Sequence, residues 1–77
     1  MKICVIYEGN INSYINDKIK ETAFRYKAKL LSDFEYENQN FQAFFEFRNE
    51  GQVENFKNDL RIIGKPFNLE ISTCQIY

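Results

Sequence analysis

Histidine is absent from this 77-residue chain, cysteine is rare, and neither sign of charge dominates. Without histidine, the chain cannot form imidazole metal sites or use histidine in acid/base catalysis. Cys4 and Cys74 are far apart in sequence, which is not the spacing of a zinc site, and a secreted domain of this size would usually carry more cysteines. Ten basic and eleven acidic side chains give a net charge of -1, so the basic field of a typical nucleic-acid-binding domain is missing.

Long hydrophobic runs are also lacking. No apolar segment approaches the length of a membrane span. The opening residues, MKICVIYEGN, are too short in their apolar part and too soon charged for a signal peptide. We therefore expect a single domain over residues 1–77, located in the cytoplasm. Residues encoded by AT-rich codons (Ile, Asn, Lys, Phe and Tyr) make up about half of the chain, which is compatible with a bacteriophage, a mobile element or an AT-rich bacterium.

Aromatic residues are abundant, at 17% of the chain, and the apolar spacing predicts six elements. Strands are predicted where apolar residues alternate or β-branched residues cluster, at residues 2–7, 33–38, 41–48 and 67–73. Helices are predicted where apolar residues recur every three or four positions, at residues 13–31 and 49–64. The order β-α-β-β-α-β predicts an α+β fold of the ferredoxin-like type, a four-stranded antiparallel sheet with both helices on one face. Right-handed crossovers place the first and third strands in the centre.

Local signals mark where these elements begin and end. The predicted helix caps are Asn12 or Ser13 at the first helix, Asn49 with Gln52 at the second, and Gly64 at its end. Gly64 is followed by Lys65 and Pro66, which prevent the helix from continuing. The polar residues 38–40 predict a tight hairpin turn between the second and third strands.

Alternation along the third strand separates two adjacent phenylalanines. Phe45 shares a side with other apolar residues and is predicted to meet the helices, which leaves Phe44 on the opposite, open side of the sheet. The other residues predicted to face the helices are Ile3, Val5, Tyr7, Phe34, Tyr36, Phe41, Ala43, Phe47, Phe67, Leu69 and Ile71. Those predicted to share the open side with Phe44 include Cys4, Ile6, the acidic Asp33, Glu35, Glu37, Glu46 and Glu70, and the basic Lys2 and Arg48.

The open side is thus predicted to have an apolar centre, Cys4, Ile6 and Phe44, within a mainly acidic surround. Such groups can stiffen cross-strand pairs, or they can form a contact patch for a partner. We take the second interpretation: a non-enzymatic interaction module, without cofactor or metal, that binds a basic protein surface or a second copy of itself. A phage or mobile-element regulator acting on a host protein would have this character. The predicted binding residues are Ile6, Glu35, Glu37, Phe44 and Glu46.

The first predicted helix offers a second contact surface. At 100° per residue, Lys18, Arg25 and Lys29 fall within about 40° of one another, and Phe24 lies near the outer side of the helix. An ordinary solvated helix surface, whose long side chains cover the edge of the core, is the alternative interpretation. The secondary contact candidates are Lys18, Phe24, Arg25 and Lys29.

Residues 40–47, NFQAFFEF, resemble the third-strand signature of the RNA recognition motif, which reads basic-Gly-aromatic-Gly/Ala-aromatic-aliphatic-any-aromatic. The matching residues are Ala43, Phe44 and Phe47. The departures are Phe41 in place of glycine, and Gln42 and Cys4 in place of base-stacking rings. The resemblance implies the same topology and an alternative function, binding of single-stranded RNA or DNA with Phe44 as the stacking residue.

VIYE, residues 5–8, resembles the opening strand of the small CRISPR-associated ferredoxin-like nucleases. That resemblance implies a divalent metal held by Glu8 at a dimer axis, whereas a glutamate after a strand is ordinarily a solvated turn residue. The row Asp33, Glu35 and Glu37 carries carboxylates of the kind that Mg²⁺ or Ca²⁺ bind, but such rows more often keep an edge strand from pairing. We expect neither a metal site nor enzyme activity.

The two cysteines are predicted to come together. The first and fourth predicted strands are antiparallel neighbours, so Cys4 and Cys74 can approach each other on the open side of the sheet. We expect both to stay free thiols, because a protein of the cytoplasm keeps its cysteines reduced.

Overall fold

A computed structural model describes residues 1–9 and 11–76, with the side chain of Asp33 excepted. Asn10, between the first predicted strand and the first predicted helix, lies outside the described residues, and so does the predicted outward direction of Asp33. In chain order the elements are β1 (Lys2–Glu8), α1 (Ser13–Arg25), β2 (Lys29–Glu37), β3 (Asn40–Glu46), α2 (Glu50–Gly64), a 3₁₀ turn (Lys65–Phe67) and β4 (Ser72–Ile76).

The strands pair antiparallel throughout and lie in the order β2-β3-β1-β4. Strands β1 and β3 are therefore central, and β2 and β4 are the edges. The predicted α+β class, with two helices and an antiparallel sheet, is confirmed. Across the described residues, no helix is both long enough and apolar enough to cross a membrane.

The core lies between one side of the sheet and the two helices. Its largest fully buried side chains are Tyr7, Phe41, Phe45, Phe47 and Phe56. Phe56 of α2 contacts two of them, with ring centroids 5.9 Å from Phe45 and 4.9 Å from Phe47. Tyr7 and Phe41 stack across β1 and β3 at 4.6 Å. Because each buried ring removes roughly 150–250 Å² from water, aromatic packing supplies much of the driving force for this small core.

The first helix ends earlier than predicted, at Arg25 rather than Leu31. Lys27 adopts a left-handed conformation with φ of 61°. The Ala28 amide donates to the Ala23 carbonyl and the Lys27 amide to the Phe24 carbonyl, which is the hydrogen-bond pattern of a Schellman motif. Leu30 then continues the apolar spacing of the helix but belongs to β2, where it pairs with Phe45 of β3.

The last strand begins later than predicted, at Ser72 rather than Phe67. Pro66 and Phe67 lie in the 3₁₀ turn, and Asn68 follows with a positive φ of 53°. The inward placement of Phe67 is therefore wrong, and its side chain is 46% exposed. The turn is possible because a Cβ on Gly64 would lie 2.3 Å from the Leu69 carbonyl oxygen, so only glycine lets the chain pass this closely.

Other predicted boundaries are confirmed by hydrogen bonds. The Asn12 side chain accepts from the Tyr14 amide at the start of α1, and the Asn49 side chain accepts from the Gln52 amide at the start of α2. The hairpin between β2 and β3 turns through Asn38 and Gln39, both with positive φ, as a type I′ turn requires.

Candidate partner-binding face of the sheet

The strand registers arrange the side of the sheet away from the helices in cross-strand rows. We call this side the open face. Its central row is Ser32, Phe44, Cys4 and Cys74, and the next row is Glu35, Gln42, Ile6 and Ser72. The outer rows are Lys29, Glu46, Lys2 and Ile76 at one end, and Glu37, Asn40 and Glu8 at the other.

Apolar groups occupy the middle of the open face, as predicted. Phe44 lies directly opposite Cys4, and Ile6 is in the next row. Cys4 is only 6% exposed, whereas Phe44 and Ile6 are half-buried. Phe44 and Ile6 therefore supply the water-exposed surface of this apolar centre. The result is a shallow apolar patch, a shape suited to a flat contact.

Charge is divided between the two ends of the open face instead of surrounding its centre. Glu8, Glu35 and Glu37 lie at the end near the β2–β3 hairpin, and all three are exposed. At the opposite end Glu46 lies between Lys2 and Lys29. The predicted acidic surround is therefore replaced by one acidic end and one end of mixed, slightly basic charge.

Two residues predicted in that surround lie elsewhere. Glu70 precedes β4 and belongs to the connecting segment, and Arg48 lies beyond the end of β3. Neither has a cross-strand partner in the sheet registers. Among the described side chains, the charge pattern of the open face is consequently set by the residues of its outer rows and by Glu35.

Strand β2 carries irregularities that sequence alternation did not reveal. Its register with β3 shifts between Leu30 and Ser32 and again between Ser32 and Glu35. The two shifts have the same direction and together amount to two residues, which restores the alternation of faces: Glu35 returns to the open face and Tyr36 pairs with Phe41 on the helix side. The predicted outward direction of Glu35 and Glu37 is thus preserved.

Helix α1 presents a smaller basic surface than predicted. Lys29 is the first residue of β2 and lies on the open face, so the predicted helical row of three cations is wrong. Lys18 is engaged within its own helix, 3.5 Å from the Glu21 carboxylate and 5.6 Å from the centre of the Tyr14 ring. Phe24, 48% exposed, and Arg25 remain outward-facing candidates.

A polar network, which the sequence did not indicate, joins the helix side of the sheet to α1; it is buried at Tyr7 and Asn16 and ends at Tyr36, which is 55% exposed although it was predicted to face the core. Asn16 is 4% exposed; its oxygen accepts from the Tyr7 hydroxyl, and its nitrogen donates to the Tyr36 hydroxyl at 2.7 Å. Burial raises the pKa of Tyr7 above its ordinary value. The sequence points to this network only through the position of Asn16, which follows Ile15 on the inner face of α1. The hydroxyl and amide groups of the network are hydrogen-bonded to one another, which indicates a structural role.

The two cysteines are cross-strand partners on the open face. Cys4 and Cys74 pair directly between β1 and β4, and both are free thiols. Their predicted approach is confirmed. Burial, followed by the negative charge of a Cys74 thiolate, raises the pKa of Cys4. Cys74 is exposed, so the two thiols differ in accessibility.

No group of three His, Cys, Asp or Glu residues converges on a metal-sized site within the part of the chain that the structure describes. Glu8 and Glu37 lie in the same row of the open face, but Asn40 stands between them. Comparison with protein-family models and with curated protein sequences finds no match to the chain.

Proposed function

We propose that this chain is a non-enzymatic protein-interaction module of ferredoxin-like topology, which binds a protein partner through the open face. The observation that carries the proposal is the centre of the open face, where the half-buried Phe44 and Ile6 form an apolar patch beside the buried Cys4, and no helix of the described residues covers it. An apolar patch rimmed by polar residues is the usual form of a protein contact surface.

The division of charge favours a particular partner. Glu8, Glu35 and Glu37 offer three carboxylates at one end of the open face, and none of them is in an ion pair among the described residues. A partner with a basic group at that end and an apolar group over Phe44 would complement both features. The carboxylates would steer association, and the apolar centre would supply most of the affinity.

A second copy of the chain is one such partner. Two open faces stacked with their strands in opposite directions would place the Lys2 and Lys29 end of one copy against the acidic end of the other. A cytoplasmic regulator encoded by a phage or mobile element, acting on a host protein, fits the size and composition of the chain.

Single-stranded nucleic acid is the second candidate. Lys2 and Lys29 lie one row away from Phe44, which is the arrangement of a stacking ring beside two phosphate-binding cations. The three carboxylates at the other end oppose this function, because phosphate contacts dominate nucleic-acid affinity. We therefore rank it below protein binding.

Affinity capture from extracts of the native host tests the leading proposal. We expect a partner captured by the unchanged protein to be lost with Phe44→Ala, which should weaken binding by about 1–3 kcal/mol. Phe24→Ala is the matched control, since it removes an exposed ring from α1 and leaves the open face intact. A partner lost with Phe24→Ala and retained with Phe44→Ala would move the site to the helix.

Fluorescence anisotropy with labelled single-stranded RNA and DNA at low salt separates the two candidates. Micromolar binding that disappears with Phe44→Ala would favour nucleic-acid recognition. We expect no such binding from the unchanged protein. Glu35→Lys with Glu37→Lys should increase any residual affinity for oligonucleotides and weaken a basic protein partner.

A further inference from the structure

A groove runs between α2 and the segment that leads into β4, and it shares only Ser72 with the rows of the open face. Its volume is about 690 Å³. One wall carries Lys57, Arg61 and Lys65, and the other is the chain from Asn68 to Thr73. The charged groups on the two walls are therefore three cations and the carboxylate of Glu70.

The three cations follow a regular spacing: Lys57 and Arg61 lie in α2, and Lys65 follows the last residue of α2 with helical backbone angles, φ of -57° and ψ of -47°. They are four residues apart, which at 1.5 Å per residue places successive side chains about 6 Å apart along the axis. Lys57 forms an exposed ion pair with Glu54 at 3.6 Å, and such pairs are weak. Arg61 and Lys65 are exposed, and neither forms an ion pair among the described residues. The groove thus has an excess of positive charge on one wall.

Strand β4 is an edge without the usual protection against pairing. Its residues, STCQI, carry no charge, and it lies last in the strand order, so one side of its backbone has no strand partner among the residues that the structure describes. The opposite edge, β2, differs because it carries Glu35 and Glu37 and two register shifts, features that blunt an edge. Ser72 and Thr73 bring the start of β4 into the groove.

We propose that this groove binds an extended acidic peptide segment of a partner protein, which adds as a strand beside β4. In an extended peptide, alternate side chains on one side are about 6.6 Å apart. That interval matches the spacing of about 6 Å between successive cations of the groove. A segment with Asp or Glu at alternate positions would pair its backbone with β4 and direct its carboxylates at Lys57, Arg61 and Lys65. Backbone hydrogen bonds to β4 would provide affinity, and the cations would provide specificity.

This site lies at the β4 edge of the sheet, where it shares only Ser72 with the open face, and it takes a partner of opposite charge. Phe44 and Glu35 have no part in it, because they do not line the groove. Loss of binding with Phe44→Ala therefore concerns only the proposed function, and loss with groove variants concerns only the acidic peptide.

Fluorescence anisotropy with a short labelled peptide of alternating Thr and Glu tests the proposal. We expect binding that falls at least about tenfold with Arg61→Gln combined with Lys65→Gln, because charge-assisted hydrogen bonds are lost. Lys27→Gln combined with Arg48→Gln is the matched control, because both side chains are exposed and neither lines the groove, and it should leave the affinity unchanged. Circular dichroism of every variant checks that it is folded.

Three altered peptides identify the mode of binding. We expect weaker binding when the glutamates are grouped together, when they are replaced by glutamine, and when alternate backbone amides are N-methylated so that a strand cannot pair. Equal binding of the N-methylated peptide would overturn strand addition and leave simple attraction of an anion. Absence of binding, or binding that survives the Arg61 and Lys65 changes, would overturn the site itself.

Discussion

Phe44 and Phe45 are adjacent in β3 and meet opposite environments. Phe45 is fully buried against Phe56 of α2, whereas Phe44 lies half-buried in the central row of the open face. The difference arises only from the direction in which successive strand residues point. One side of the sheet is therefore committed to the fold, and the other keeps an apolar patch that the fold does not require.

Strand β1 extends the same comparison. Ile3, Val5 and Tyr7 are at most 1% exposed, and they pair with the buried residues of β3. Ile6 lies between Val5 and Tyr7 in sequence, but its side chain is half-buried and faces the open side. Two central strands thus divide their apolar residues between packing and potential binding. An apolar residue on the open face can be changed without loss of the core, which makes the account testable.

The largest expected effect separates the two adjacent rings. Phe45→Asp should unfold the protein, because it buries a carboxylate without a partner among aromatic side chains. Phe44→Asp should leave the protein folded, since the carboxylate can reach water on the open face. Thermal melts followed by circular dichroism compare the two variants directly. Equal destabilisation would mean that the two faces are not distinct.

The polar network on the helix side gives the next effect. Asn16→Ala should lower the free energy of unfolding by about 1–3 kcal/mol, because it leaves the buried Tyr7 hydroxyl without its acceptor. Gln42→Ala, on the open face, is the control and should change stability by less than about 0.5 kcal/mol. Urea denaturation measures both. A larger effect at Gln42 would reverse the assignment of structural and free faces.

Substitutions in and after the turn between α1 and β2 should cause the smallest change in the stability of the protein. Lys27 has a positive φ, which glycine adopts more readily, so Lys27→Gly should raise the free energy of unfolding by about 0.5–1 kcal/mol. Lys29→Gly should lower it by a similar amount, because Lys29 is in extended strand conformation. Urea denaturation of the two variants should therefore give shifts of opposite sign; shifts of the same sign would contradict the helix boundary.

The last prediction concerns the accessibility of Cys4 and Cys74, which lie in one row of the open face. It involves no change in stability. Cys74 should react with a chromogenic thiol reagent faster than Cys4, because Cys74 is exposed and the pKa of Cys4 is raised by burial. Single Cys→Ser variants assign the two rates. Two thiols should titrate in denaturant after purification under mild reduction, and a count near zero would contradict the expectation of a reducing compartment.

Strand alternation and capping residues were sufficient to predict much of this architecture. The different directions of Phe44 and Phe45 follow from period two alone, and Asn12 and Asn49 are capping residues by type. The end of α1 could not be predicted because Lys27, without a glycine, takes the left-handed position, and Leu30 continues the helical spacing into β2.

The remaining differences depend on contacts between distant residues. The 3₁₀ turn that delays β4 requires the close passage of Leu69 over Gly64. The network at Asn16 requires Tyr36, twenty residues later, to reach the helix. The division of charge on the open face results from the placement of Lys29 in β2 and of Glu70 outside β4. None of these contacts has a signal in local spacing.

Covalent footprinting of the tagged protein, first in buffer and then in native-host extract, tests most directly whether the open face is the contact surface. Side chains of the open face and of α1 are labelled in both conditions, and the protein is recovered for mass spectrometry. We predict that labelling of Phe44 and Ile6 falls in the extract and that labelling of Phe24 does not change. Unchanged labelling of Phe44, with protection confined to Phe24 and its neighbours on α1, would contradict the account.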